Sequence, residues 1–186
     1  MKKIIEKYIK NKQSALDQIN SDQIIHLAED FKRAWRQDKT IYFCGNGGSA
    51  ANANHLANDF IYGAGRKNGK GLRVESLSAN SAVITCLAND IGYENIYSEQ
   101  IKVKGNKGDI LVTLSGSGNS INILKAIEMA KCLEMNTYAI LGFSGGACMN
   151  LVENSIHFPI NDMQIAEDMQ LVVGHLCMQI LSTQEL

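Results

Sequence analysis

Short apolar runs, rich in β-branched residues, alternate along this chain with longer stretches whose apolar positions recur every three or four residues. The runs Thr40–Cys44, Gly71–Leu77, Asp109–Leu114, Thr137–Gly142 and Ser155–Phe158 predict strands. Helices are predicted over Ala50–Tyr62, Ser81–Ala88, Ser120–Leu133 and Ala166–Leu181. Runs without polar alternation, separated by helices, predict an α/β fold. Its five-stranded parallel sheet is covered on both faces, as a three-layer sandwich. Ahead of the sheet, residues 1–37 read as a helical pair, with Ile4, Ile5, Tyr8 and Ile9 on the first helix and Ile24, Leu27, Ala28 and Phe31 on the second. Asn20-Ser21-Asp22 divides the two, and Ser21 is the expected N-cap. No linker or repeat interrupts the pattern, so residues 1–186 are expected to form a single domain.

The last helix carries Met169, Leu171, Val172, Val173, Leu176, Cys177, Ile180 and Leu181, which is more than one stripe. That pattern predicts a helix buried in an oligomer; the alternative is the central core helix of a monomer.

Composition narrows the function. The chain has 186 residues, 45% of them hydrophobic, and a net charge of −1. Such a charge gives no electrostatic case for nucleic acid or membrane as a partner. No apolar run approaches membrane-spanning length, and the charged start Met1-Lys2-Lys3 does not read as a secretory leader. Five scattered cysteines without a Cys-x-x-Cys pair fit reduced thiols and a cytoplasmic location.

The chemistry concentrates where strands end. After Asp109-Ile110-Leu111-Val112 comes Thr113-Leu114-Ser115-Gly116-Ser117-Gly118-Asn119-Ser120, then a helix-like stretch. Hydroxyls, glycines and a helix N-terminus together form an anion cradle. It lacks the Gly-Lys-Ser/Thr of a nucleotide loop, so it suits one phosphate on a small molecule. Cys44-Gly45-Asn46-Gly47-Gly48-Ser49 repeats the strand–turn–helix layout. Ligands of open α/β sheets gather at this edge. His55 and Asp59, four residues apart, share a helical face and can share a divalent metal, zinc by preference. On the last helix, Glu167 lies eight residues from His175, about 80° around the helix and about 12 Å along it. Asp168 lies closer to the face of His175, and spacing does not choose between the two carboxylates.

The Cys-Gly-Asn-Gly-Gly-Ser turn, His55, Asn89-Asp90 and Ser115–Ser120 together resemble the sugar isomerase (SIS) domain family, and within it the phosphoheptose isomerase branch. The resemblance spans nearly the whole chain. It implies a flavodoxin-like SIS fold and a homotetramer whose active sites lie at subunit interfaces, with residues 1–37 used in oligomerisation. It implies one zinc per subunit. The implied reaction is aldose–ketose conversion of D-sedoheptulose 7-phosphate to D-glycero-D-manno-heptose 7-phosphate through an enediol(ate), the first step toward nucleotide-activated heptose for lipopolysaccharide or capsule.

Carried onto this chain, the resemblance places phosphate on Ser115, Gly116, Ser117 and Ser120, with Asn46, Gly47, Gly48 and Ser49 alongside. Ser78, Asn80, Asn89 and Asp90 fall where sugar hydroxyls are held. His55, Asp59, Glu167 and His175 are the implied metal ligands. Asp59 or Glu167 would be the base, Glu167 would also touch substrate, and His175 would be the acid partner. Departures from the family are Asp59 for Glu, Glu167 for Gln, Asn80 for Asp, and the Gly63-Ala64-Gly65-Arg66-Lys67 register. The competing functions are a non-catalytic SIS protein that binds a replication initiator and a phosphosugar sensor.

Other residues have simpler readings. His26 is expected to be solvated, His157 structural, Cys44 a packed thiol, and Trp35 and Tyr8 packing residues. Arg66, Lys67 and Lys70 form a small exposed basic loop, with an anion grip as the alternative.

Overall fold

The computed structural model describes residues 1–65 and 69–183. The chain begins with α1 (Lys2–Leu16) and α2 (Ser21–Arg36). Then come β1 (Thr40–Gly45), α3 (Gly48–Asn58), β2 (Arg73–Ser76), α4 (Ser81–Ile91) and α5 (Ser98–Lys104). The second half holds β3 (Ile110–Ser115), α6 (Ile121–Cys132), β4 (Asn136–Leu141), α7 (Cys148–Leu151), β5 (Asn154–His157) and α8 (Met163–Thr183). The five strands pair in parallel in the order β2-β1-β3-β4-β5.

The continuous apolar runs have a direct cause. Alternate side chains of each strand enter two separate cores. Ile41, Phe43, Ile110, Val112, Leu114 and Ile140 pack with α2, α3 and α8, while Tyr42, Cys44, Leu111, Ala139 and Leu141 pack with α5, α6 and α7. This is the expected three-layer sandwich. Phe31, Phe43 and Phe60 form an aromatic centre in the first core, with ring centroids 5.2 to 6.2 Å apart.

Boundaries differ from expectation for local reasons. Asn20, not Ser21, caps α2, accepting from the N–H groups of Asp22 and Gln23. The helix expected over Ala50–Tyr62 begins at Gly48 and widens into a π-turn over Asp59–Gly63. Strand β2 is shorter than Gly71–Leu77 because Leu72 N–H donates to Phe60 O, at the π-turn, instead of extending the ladder. Helices α5 and α7 escape the periodicity: at seven and four residues they are too short to show it.

Helix α8 is a core helix of this chain. Met169, Val173, Cys177 and Leu181 are buried, and Leu171, Val172, Leu176 and Ile180 pack half-buried against the same core. It runs parallel to α3 at close range. A Cβ on Gly174 would collide with the buried Leu56 side chain unless it shifted, so glycine permits the close crossing.

His26 is exposed, and His157 lies on the edge strand with Nε2 2.9 Å from the Phe143 carbonyl oxygen, a structural bond. Cys44 is fully buried, and burial pushes its thiol well above the usual range, as befits a packed thiol. All five cysteines are free, and no helix among the described residues is long and apolar enough to cross a membrane. Trp35 packs in the first core. Lys70 pairs with Asp38 at 2.8 Å; Arg66 and Lys67 lie outside the described residues.

Tyr8 does more than pack. Its hydroxyl donates to Asp168 Oδ2 at 2.5 Å, and Lys12 Nζ lies 2.8 Å from the same oxygen, tying α1 to α8. The hydrogen bond to Asp168, with burial and the Asp168 charge, pushes Tyr8 up from 10.0 to about 12. A raised folded-state pKa favours the protonated fold, so this contribution is complete below the ordinary tyrosine pKa and is lost as pH rises through the raised one. The urea midpoint of Tyr8→Phe should therefore sit below that of the wild type at neutral pH. The gap should narrow as pH rises from 10.0 toward about 12.

Candidate active site

Two strand-to-helix turns build one cavity. At the end of β1, Gly47 takes φ 57 as the N-cap of α3 and supplies no side chain, so the first N–H groups of α3 face outward. At the end of β3, Gly118 turns at φ 66, its N–H donating to Ser115 Oγ at 3.0 Å. A Cβ there would strike the Gly145 carbonyl oxygen. Ser120 occupies the N-cap of α6 with no capping bond from its side chain. Among the described residues, no protein acceptor meets the N–H of Ser117 or Ser120. Asn46, Gly47, Gly48, Ser49, Ser115, Gly116, Ser117, Ser120 and Glu167, all expected from the sequence, line a cavity of about 250 Å³. Leu114 and Met163 complete it.

Its lining contains no lysine or arginine. Positive potential comes from the main chain: free N–H groups and the N-termini of α3 and α6 converge on one space. Such a cavity takes an anion by hydrogen bonds and dipoles rather than by a salt bridge.

An amide pair fixes the two turns relative to each other. Asn46 Nδ2 donates to Asn122 Oδ1 at 2.9 Å, and Asn122 Nδ2 returns a bond to Asn46 Oδ1 at 2.8 Å. The Tyr93 hydroxyl adds a bond to Asn46 Oδ1 at 3.0 Å. Sequence reasoning missed Asn122; an asparagine flanked by Ile121 and Ile123 in the first turn of α6 was the available signal. It also missed Asn52 and Gln170. Asn52 Nδ2 donates to Glu167 O and Gln170 Oε1, both at 2.9 Å, and Gln170 Nε2 donates to Ser49 Oγ at 3.0 Å. Asn52 is a polar interruption of an alanine-rich helix, and Gln170 of an apolar one.

Further along the same α3–α8 seam, His55, Asp59 and His175 converge. Their ligand atoms all lie within 4.8 Å of one another. His55 Nε2 is 2.9 Å from His175 Nε2, and Asp59 Oδ2 is 3.4 Å from each. Donors around one tetrahedral ion, at ~2.0–2.1 Å from it, stand about 3.3 Å apart. The triangle therefore fits a borderline-soft divalent ion with nitrogen and oxygen ligands. Both imidazoles are partly open to solvent, leaving room for a further ligand.

Glu167 is not part of this triangle. Its carboxylate lies directly against Gly48, where a Cβ would oblige the Glu167 side chain to move, at the N-terminus of α3 and in the wall of the cavity. Asp168 instead faces α1.

The remaining expected residues are not brought into the cavity. Ser78 accepts from Gly45 N–H at 3.3 Å and lies 3.0 Å from the Tyr97 hydroxyl, so it braces β1. Asn80 caps α4 through Val83 N–H at 3.2 Å. Asn89 and Asp90 sit exposed near the other end of α4, bonded to each other at 2.8 Å.

Residues 6–142 match the SIS domain. The chain is 33% identical over 189 residues to a phosphoheptose isomerase of Clostridium acetobutylicum, covering 99% of this chain and 96% of that protein. It is 37% identical over 175 residues to one from Helicobacter pylori, covering 94% and 86%. The chain belongs to the phosphoheptose isomerase family. The structure of a phosphoheptose isomerase from Francisella tularensis superposes with a TM-score of 0.91 at 26% identity, covering 98% of this chain and 96% of that one.

The turn geometry carries a stability prediction. Gly118→Ala combines a left-handed φ with a collision, and should cost more than ~1 kcal/mol. Urea denaturation of the folded variant measures it.

Proposed function

We propose that this phosphoheptose isomerase relative interconverts D-sedoheptulose 7-phosphate and D-glycero-D-manno-heptose 7-phosphate. One observation carries the reading: a main-chain phosphate cavity and an ion-binding triangle share the seam between α3 and α8. Gly48 to His55 and Glu167 to His175 are seven and eight helical residues, so the two ends stand roughly 10–12 Å apart along the helices. A seven-carbon chain ending in phosphate spans such a distance.

Aldose–ketose conversion moves one proton between neighbouring carbons and one between their oxygens. The base in this reading is Asp59 or Glu167: it takes the proton from the carbon beside the carbonyl and returns it to the former carbonyl carbon. Asp59 stands at the imidazole triangle, where the reacting end would lie, and Glu167 in the wall of the phosphate cavity. His55, Asp59 and His175 would hold zinc, which when bound supplies Lewis acidity toward the substrate's oxygens. The phosphate cavity supplies remote binding that orients the reacting carbons.

Self-association supports the same reading. None of the eleven residues of α4 is buried, although the helix is rich in apolar side chains, and Ile4, Ile5 and Ile9 of α1 are exposed. A homotetramer would cover these faces and bring Asn80, Asn89 and Asp90 to a neighbouring copy's cavity. Light scattering at micromolar concentration tests this; monomer alone would refute it. A sensor or an initiator-binding protein would have no need of the imidazole triangle.

Incubation with sedoheptulose 7-phosphate should yield the aldose. With Glu167 as the base, Glu167→Gln should lower kcat by roughly 10²–10⁴-fold with zinc retained; with Asp59 as the base, this variant, which restores the residue usual in the family, should keep its turnover. Asp59→Ala and His175→Ala should lose both turnover and the ~1 zinc per chain found by elemental analysis. Full turnover by Glu167→Gln would remove it as the base, and full turnover by both other variants would remove the ion site from the mechanism.

A further inference from the structure

The loop after β4 braces the phosphate turn from outside the cavity. Gly142 N–H donates to Gly116 O at 3.0 Å, Cys148 N–H to Gly118 O at 2.9 Å, and Ala147 N–H to Asn119 Oδ1 at 2.9 Å. Each bond holds an oxygen of the turn outward, which leaves the N–H groups of Ser117 and Ser120 to the cavity. Within the bracing loop, Phe143 is a non-glycine residue at φ 46. A bulky side chain rarely adopts this conformation, so its surroundings must enforce it. Two bonds do so. Phe143 N–H donates to Ile160 O at 3.1 Å, and His157 Nε2 lies 2.9 Å from the Phe143 carbonyl oxygen. A carbonyl only accepts, so Nε2 carries the proton in this bond.

The loop also meets the cavity wall. The position of a Cβ on Gly116 lies 3.8 Å from Phe143 Cε2 and 2.5 Å from Met163 Sδ. Met163 thus fills the space beside this glycine of the phosphate turn, while the Phe143 ring stands at no more than ordinary van der Waals distance and places the loop beside the turn.

We propose that His157 is a positioning residue: by holding the Phe143 carbonyl it fixes the brace behind the phosphate turn, and so sets phosphate affinity without touching substrate. This rests on the phosphate reading of the cavity. His157 is not one of the three residues of the ion triangle and has no part in the proton transfer.

The test uses the full chain, with inorganic phosphate in titration calorimetry and sedoheptulose 7-phosphate in steady-state assays. His157→Ala should raise the phosphate Kd and the KM about tenfold while kcat stays within about twofold. His157→Gln, which keeps an N–H donor, should recover most of the loss. Phe143→Gly adopts the left-handed turn without strain and should keep phosphate affinity even when combined with His157→Ala. Phe143→Val should lose affinity with His157 intact, because a β-branched residue resists that turn. The Phe143 pair decides the matter even if His157→Ala does not fold. Wild-type affinity in folded His157→Ala and Phe143→Val would overturn the inference. A drop in kcat with KM unchanged would overturn it as well. Failure of the wild type itself to bind phosphate would instead overturn the cavity reading, and this inference with it.

Discussion

The parallel packing of α3 on α8 is the constraint on which the rest of the site depends. Each helix contributes to both ends of the site: Gly48 and Glu167 at the cavity, His55, Asp59 and His175 at the triangle. A sliding of one helix by a single turn would separate both pairings at once. Two features hold the register. Gly174 admits the Leu56 side chain, and the chain Asn52–Gln170–Ser49 joins the helices by hydrogen bonds at the buried end. Gln170 is 1% exposed, so losing a partner would strand a buried amide at a cost of about 1–3 kcal/mol. The polar network therefore fixes the register more sharply than apolar contact alone, which tolerates small shifts.

Charge is distributed to match. The cavity holds an anion with partial charges only, since its lining lacks cationic side chains. Full positive charge would enter only at the triangle, where two imidazoles and one carboxylate suit a divalent ion. A phosphosugar bound across both ends would then have its phosphate neutralised by dipoles and its reacting end polarised by the ion. Glu167 stands at the wall of the anion cavity, beside Gly48 at the N-terminus of α3.

Much of this was legible in the sequence. The run Ile41-Tyr42-Phe43-Cys44 announced a strand covered on both faces, and the spacing of Ser115, Gly116, Ser117 and Ser120 announced the cradle. Both signals are local, because a strand end and a turn are written in consecutive residues. The choice between Glu167 and Asp168 was not legible. It depends on which helix lies on which side of α8: α3 takes Glu167 and α1 takes Asp168. The partnership of Asn46 with Asn122 was equally hidden, since it joins residues 76 apart. Ser78 and Asn80 are a different case. The family resemblance implied ligand contacts for both, and within one chain each side chain bonds neighbouring backbone.

The shortened carboxylate at position 59 is placed by the backbone beneath it. Asp lacks one methylene relative to the Glu usual in the family, so its oxygen reaches less far from the helix axis. Asp59 stands where α3 gives way to a π-turn, with Ala64 N–H donating to the Asp59 carbonyl at 3.3 Å. A π-turn widens the helix locally and displaces the residues that enter it. Asp59 precedes that widening: its backbone is helical, at φ −62 and ψ −42, its N–H donates to His55 O, and its Oδ2 stands 3.4 Å from both imidazoles. The regular geometry of α3 therefore sets Asp59 one turn beyond His55, and α8 brings His175 to both. The aspartate closes the triangle from the C-cap of α3, before the helix widens.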